Sequence, residues 1–339
     1  MSSSRQTEIL SYFESVIVVT VNRVGLSTVL GITGVVSNVF NVCVFFKQGL
    51  QVSMNVNFFV LSSVDVLRSL NYIWMAVCAN PDIDKLDTDF RFQDVQYLIN
   101  GWVSSNLARS AMFIVAFMSF QRYISIYKPM SVEQVFTPMR SVLVLICILL
   151  MNSVVVLPIC VSVYFDWSFN LDKNRTMLGL MYRNGSSEAW GLSFTMHAVL
   201  NALPLSTIVI FTFLLILQIE FRSKLRQDTL VKVQHQAISN RDKRTSKIVT
   251  FMAIFLIVSC TPIIALSLAT TIVPDFSAGG KQANLYFAVW SFAFLSGVIG
   301  ANINIFIYYQ LSSKYREIFL KMFNFCPRKP KISTKKQAY

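Results

Sequence analysis

Long apolar stretches set the reading of this chain. Segments 24–46, 141–165, 189–219, 248–274 and 282–313 contain no Asp, Glu, Lys or Arg. Each is long enough for a helix to cross the hydrocarbon core, which takes ~20 apolar residues. Segments 52–80 and 95–127 are as long but interrupted, the first by Asp65 and Arg68, the second by Arg109 and Arg122. The pattern predicts seven membrane-crossing helices with short connections. After the last of them, Tyr315, Ile318, Phe319, Met322 and Phe323 share one helical face, with Lys314, Arg316 and Lys321 elsewhere. That spacing suits a short amphipathic helix lying in the interface plane. The expected fold class is an all-α membrane protein, a seven-transmembrane helix bundle. Its expected parts are a short N-terminal segment 1–23, the bundle 24–310, the amphipathic helix 311–323 and a basic tail 324–339. Residues 1–23 lack the basic-then-apolar start of a cleavable signal, so the first span is expected to serve as the targeting element.

Composition agrees. Charged residues are 14% of the 339 and apolar ones 54%, with a mean hydropathy of +0.54. A soluble chain carries about 25% charged residues. The net charge of +13 raises the question of nucleic acid, but the cations cluster at 221–247 and 314–339, beside apolar runs. That is the pattern of a cytoplasmic membrane face, and no nucleic acid is expected as a partner. Counting Lys and Arg on the two sides of seven spans gives nineteen against eight. The N-terminus is therefore expected outside, the C-terminus inside, and the protein at the plasma membrane as a multi-pass chain. Two glycosylation acceptors, Asn174 and Asn184, both fall in the loop 166–188 that this topology puts outside. Of six cysteines, five lie in apolar runs, and no CxxC pair supports a metal site. Cys326, just past the amphipathic helix, is either a palmitoylation site or an unmodified thiol.

Charges inside spans need partners or a function, because each costs at least ~2.5–3.5 kcal/mol at the bilayer centre. Asp65 and Arg68 are three apart and share a helix face. They form either an internal ion pair or part of a working site. Arg109 has no acidic residue in spans four to seven to meet it. It is a candidate for binding an anionic or carbonyl-bearing ligand group. Pro158, Pro204 and Pro262 each remove a backbone hydrogen bond within a span.

These residues, taken in order, resemble the rhodopsin-like (class A) G-protein-coupled receptors over 24–323. The resemblance is carried by Gly34 and Asn38 in span one, by Asn57 to Asp65 in span two, and by Arg122, Tyr123 and the downstream Pro129 and Met130 in span three. It continues with Pro204 in span five, Cys260 and Pro262 in span six, and Asn304 and Tyr308 in span seven. The texture of 37–49 is similar to orphan chemosensory receptors of gastropod molluscs.

The resemblance implies a receptor without enzymatic activity or cofactor. It implies a ligand among the outer ends of the spans and a heterotrimeric G protein at the cytoplasmic face, with arrestin and a receptor kinase as further partners. Asp65, Arg122, Tyr123, Asp242, Pro262, Asn304 and Tyr308 would be the activation switch. Asp242 would lock Arg122 in the inactive state, and Arg122 and Met130 would contact the G protein. The chain also departs from the pattern. Gln121 replaces the acid before Arg122, Cys260 a tryptophan, and Ile305 a proline; the usual outer disulfide is missing. Ala111 and Ala301 replace polar positions of the family's sodium pocket, which leaves sodium regulation in doubt.

Ser104 stands where amine receptors carry aspartate, and Val298 where opsins carry the retinal lysine. The expected ligand is therefore neither a monoamine nor retinal, but a chemosensory small molecule or a neuropeptide. Trp102, Ser104, Ser105, Arg109, Tyr286 and Trp290 are the candidate ligand residues, each open to a packing role. A transporter is disfavoured by the lack of repeated halves. A membrane enzyme is disfavoured by the lack of catalytic motifs. A channel subunit with its N-terminus inside is disfavoured by the charge count.

Overall fold

A computed structural model of the chain describes residues 9–84, 86, 88–91, 94, 101–128, 132, 134–170, 174–228, 240–273, 275–277 and 280–323. The first helix, α1 (Tyr12–Gln48), begins well ahead of residue 24. Ser11 explains the early start. Its hydroxyl accepts from the Glu14 N–H at 3.3 Å, and the Glu14 carboxylate accepts from the Ser11 N–H at 2.9 Å, a reciprocal cap. The helix widens into a π turn over Val21–Leu26 and ends at Gly49, whose φ of 88° is costly for any residue with a Cβ.

Helix α2 (Ser53–Cys78) and α3 (Trp102–Tyr127) follow, then α4 (Pro138–Ser162), which is broken by a turn at Val155 and Val156. Pro158 lies two residues past the break and supplies no N–H to bridge it. The remaining long helices are α5 (Ser186–Asp228), α6 (Asn240–Ile272) and α7 (Ala283–Leu311), with Pro204 inside α5 and Pro262 inside α6. Among the described residues, α1 and α3 to α7 are long and apolar enough to cross a membrane. Helix α2 has the length, 26 residues, but dilutes its apolar character with the buried Asp65 and Arg68. Together they make the expected seven-helix bundle. Its exterior carries exposed Val, Leu, Ile and Phe along the spans, as a lipid-facing surface requires.

The core is densest at the end away from the α4–α5 loop. There Phe45 stacks on Phe58 at 5.1 Å and meets Tyr308 edge-on at 4.8 Å. The short helix α8 (Ser313–Met322) closes this end, capped by Ser312, which accepts from the Tyr315 N–H at 3.2 Å. Tyr315 is fully buried, and its hydroxyl donates to Asn41 Oδ1 at 2.5 Å. Burial raises the Tyr315 phenol, so it stays protonated as a donor. Phe319, on the same face, meets Phe40 of α1 at 5.7 Å. Helices α1 and α2 approach closely at Gly34, where an added Cβ would lie 3.1 Å from the Ser69 Cβ and closer still to its hydroxyl.

One element departs from the all-helical expectation. The α4–α5 loop forms an antiparallel hairpin, β1 (Val163–Asn170) and β2 (Arg175–Tyr182), in a register pairing Val163 with Tyr182 and Asn170 with Arg175. Strand β1 is rich in aromatic residues, Tyr164, Phe165, Trp167 and Phe169, which fit a pleated surface. The hairpin is tied to the loop after α2. The Leu178 N–H donates to Asp89 O at 2.6 Å and the Arg91 N–H to Leu178 O at 3.0 Å. The Leu180 N–H donates to the Asp94 carboxylate at 2.9 Å, and the Arg91 guanidinium meets the Ser168 hydroxyl.

Candidate functional site

Helix α3 runs through the bundle, and buried polar groups gather around it at three depths. At the hairpin end lies Arg109, seven residues past Trp102 and thus about 10 Å along the axis. Its side chain is fully buried. Its Nε donates to Asn152 Oδ1 of α4 at 2.6 Å, and one terminal nitrogen meets Nδ1 of His197 on α5. Trp102 lies against the imidazole, with ring centroids 5.0 Å apart. Asn152 is oriented by its own amide, which donates to Ile148 O at 2.9 Å. The break in α4 is stitched to α5 just beyond, where the Ser193 hydroxyl donates to Val155 O at 2.8 Å.

The other candidate ligand residues divide. Ser104 is half-buried and Ser105 exposed. Tyr286 and Trp290 continue into Phe294 as a ladder along α7, with centroids 5.9 and 5.7 Å apart. Arg23 of α1 lies over the Phe294 ring at 5.4 Å. Trp102 and Arg109 therefore belong to a seam between α3, α4 and α5, whereas Tyr286 and Trp290 belong to one between α1 and α7.

At mid-depth, Asp65 and Arg68 form the internal ion pair, Nη1 to Oδ1 at 2.9 Å, with both side chains buried. Asn304 of α7 donates to the second carboxylate oxygen at 2.9 Å, and Arg68 Nη2 reaches Gly297 O at 3.4 Å. Beside them is a cavity of about 20 Å³, lined by Asp65, Arg68, Ala111, Gly300 and Asn304 among others. It has room for a single water. At the level of Pro262, Cys260 Sγ meets Met112 Sδ of α3 at 3.8 Å, and the Ser296 hydroxyl of α7 donates to Ser259 O at 2.9 Å.

The far end of α3 holds Gln121 and Arg122, both buried. Gln121 Nε2 donates to the Ser53 hydroxyl at 2.7 Å, and its Oε1 accepts from Asn57 Nδ2 at 2.7 Å. Ser53 in turn shares a 2.5 Å hydrogen bond with Ser141 of α4. The glutamine that stands in for an acid thus ties α3 to α2 and α4. Tyr123 stacks on Tyr127 at 5.8 Å and packs on Phe211 of α5 at 5.7 Å. Tyr308 is buried against Phe45, Phe58 and Tyr315. The Asp242 side chain, Met130 and Cys326 lie outside the described residues. Asn174 and Asn184 are exposed at the hairpin end, Asn174 in the hairpin turn at φ 48° and Asn184 in the turn before α5. Cys78 and Cys160 are both free.

Sequence reasoning missed Asn152, His197 and the Gln121 network as working parts. A signal existed for Asn152, since an amide at the centre of an uncharged span needs a polar partner. His197 offers no such signal, because its partner Arg109 lies 88 residues away on another helix.

Among the described residues the buried polar groups are joined to one another across helices. Residues 25–326 match the serpentine type 7TM GPCR chemoreceptor Srw family. No curated protein matches the chain. The match covers most of the chain, and the protein belongs to this family of G-protein-coupled chemoreceptors, a receptor family rather than an enzyme family.

Proposed function

We propose that this chemoreceptor is a rhodopsin-like receptor that binds its ligand at the hairpin end and signals to a heterotrimeric G protein at the end closed by α8. One observation carries the reading. Helix α3 buries a cation near each end, Arg109 and Arg122, and the Asp65–Arg68 pair lies between them in depth. Buried charges in a bilayer are costly and are kept where they do work. A ligand that moves the hairpin end of α3, α5 or α6 changes the packing around the mid-depth cavity. Helix α6, weakened at Pro262, then swings at its far end, and Arg122 becomes available to the G protein. The effect is a shift between two populations. Arg122 would be released from Asp242, and Met130 would reach the partner beside the basic segment 221–247. The charge distribution supports a plasma-membrane protein with its N-terminus outside and the acceptors Asn174 and Asn184 exposed to glycosylation. The likeness of 37–49 to gastropod chemosensory receptors supports a sensory small molecule or a peptide as ligand, rather than a monoamine or retinal.

The test is G-protein dissociation in cells expressing the full chain, read against panels of odorants, acids and peptides. Arg122→Ala should abolish the response at unchanged surface level. Full coupling by that variant would sink the G-protein reading. Tags at the two termini found on the same face of the membrane would sink the topology.

A further inference from the structure

The Arg109 cluster has hydrogen-bond donors that no partner meets. Arginine only donates, so His197 Nδ1 must accept from it, and the neutral imidazole then carries its proton on Nε2. Both Arg109 Nη2 and His197 Nε2 are buried without a hydrogen-bond partner. Among the described residues no carboxylate pairs with Arg109, and Asn152 Oδ1 is already engaged. The cluster therefore presents donors and a positive charge, and an unmet acceptor, Asn106 Oδ1, lies one turn away on α3 without reaching Arg109. The unmet guanidinium N–H of Arg109 suits a carboxylate oxygen, whereas the His197 Nε2–H, on the far side of the ring from Arg109, holds the imidazole tautomer and does not share that group.

The same seam continues into an apolar groove of about 280 Å³, lined by Phe113, Phe117, Val144, Ile148, Leu203 and Phe211 among others. Phe113 lies one helical turn from Arg109 on α3, and Ile148 one turn from Asn152 on α4. Ile148 joins the two regions directly, since its carbonyl holds the Asn152 amide and its side chain lines the groove. Thr207, which lines the groove, has its hydroxyl bonded back to Leu203 O at 2.8 Å.

We infer that the α3–α4–α5 seam binds a carboxylic acid with an apolar tail, its head on Arg109 and its chain in the groove. The inference rests on the receptor reading above and names the ligand class for one of its two candidate seams. The carboxylate recognises the donors, and the groove recognises the chain. A short, water-soluble acid would satisfy only the first.

The test is direct binding to the purified full-length receptor in lipid nanodiscs, with labelled dodecanoate as probe and acetate, dodecanol and methyl dodecanoate as competitors. Dodecanoate should bind saturably, and none of the three competitors should displace it at matched concentration. Arg109→Gln should weaken dodecanoate binding about tenfold or more, since a charge-assisted contact is lost. Val144→Trp, a change at the exposed rim of the groove, should weaken dodecanoate while leaving the fold intact. If Arg109→Gln fails to fold, the Val144→Trp result and the competition with dodecanol decide the matter.

Equal displacement by dodecanol would overturn the role of Arg109. Displacement by acetate with no effect of Val144→Trp would overturn the groove and leave a soluble anion. No saturable binding of dodecanoate would overturn the inference entirely. Binding is read without a G protein, so a receptor that ignores acids yet still couples through Arg122 refutes the ligand class alone.

Discussion

The Asp65–Arg68 pair gives the sharpest test of how the bundle is held. Replacing Arg68 with Leu removes the 2.9 Å bond to Asp65 Oδ1 and leaves a buried carboxylate with only the Asn304 amide, also at 2.9 Å. Breaking a buried pair by removing one partner costs about 3–5 kcal/mol, because the remaining charge is uncompensated. Asp65→Asn exposes the opposite fault: Arg68 loses its counter-charge and is left with the Tyr72 side chain and the long 3.4 Å contact to Gly297 O. Each kcal/mol moves the melting temperature of a chain of a few hundred residues by about 2–4 °C, so each single variant should lose on the order of 10 °C. The double variant, Asp65→Asn with Arg68→Leu, removes both charges and restores a neutral interior, which is often close to neutral in stability. It should recover most of the loss. The assay is thermal unfolding of the three purified variants and the parent in detergent, analysed as a double-mutant cycle. Additive losses in the double variant, or single variants that melt like the parent, would refute the claim that the two charges sustain each other.

Three further outcomes follow from the same geometry. Exchanging sodium for choline at constant ionic strength should leave both melting temperature and signalling unchanged, because Arg68 and Asn304 already occupy the two Asp65 oxygens; a sodium-specific shift would show the carboxylate to be accessible to a cation. Gly34→Val should cost about 1–3 kcal/mol and lower surface expression, since a Cβ there would also lie 3.2 Å from Asn302 Nδ2 and would press α1 away from α2 and α7. Asp94→Ala should free the Leu180 N–H and loosen the hairpin by about 1–3 kcal/mol, read as faster hydrogen exchange across 175–182 with α3 unaffected.

The fold was legible because a bilayer asks so little of a sequence. Five uncharged runs and two interrupted ones identify the helices whatever their faces carry, since backbone groups in lipid can be satisfied in few other ways. The amphipathic helix was legible for the opposite reason, a face rule that α8 obeys with Tyr315 buried at its centre. The early start of α1 was not legible from hydropathy, because it is set by the Ser11–Glu14 cap and by contacts to α7, such as the Asn22 amide donating to Ser291 at 2.8 Å. The hairpin was missed because its aromatic residues sit in a loop between spans, where apolar runs were read only for crossing the membrane. Its register depends on partners in another loop, among them Asp89, Arg91 and Asp94.

The site was legible only one helix at a time. Sequence spacing paired Asp65 with Arg68 because both lie on α2, three residues apart, but it gave no means of pairing Arg109 with His197, 88 residues away. What sequence did reveal was a deficit: a cation in a span with no acid to meet it. The structure answers the deficit with neutral partners, an amide oxygen and an imidazole nitrogen, rather than with an opposite charge. That answer is incomplete in a way that matters. Two acceptors hold the guanidinium in place but leave its charge unbalanced in a medium that penalises it. A seam built for stability alone would replace Arg109 with an apolar residue, as buried ionic groups commonly can be. If Arg109→Met raises the melting temperature of the ligand-free receptor while removing acid binding, the charge is kept for recognition. If it lowers stability and leaves binding intact, Arg109 is a structural strut and the ligand site lies elsewhere, with the α1–α7 ladder of Tyr286 and Trp290 the next place to look.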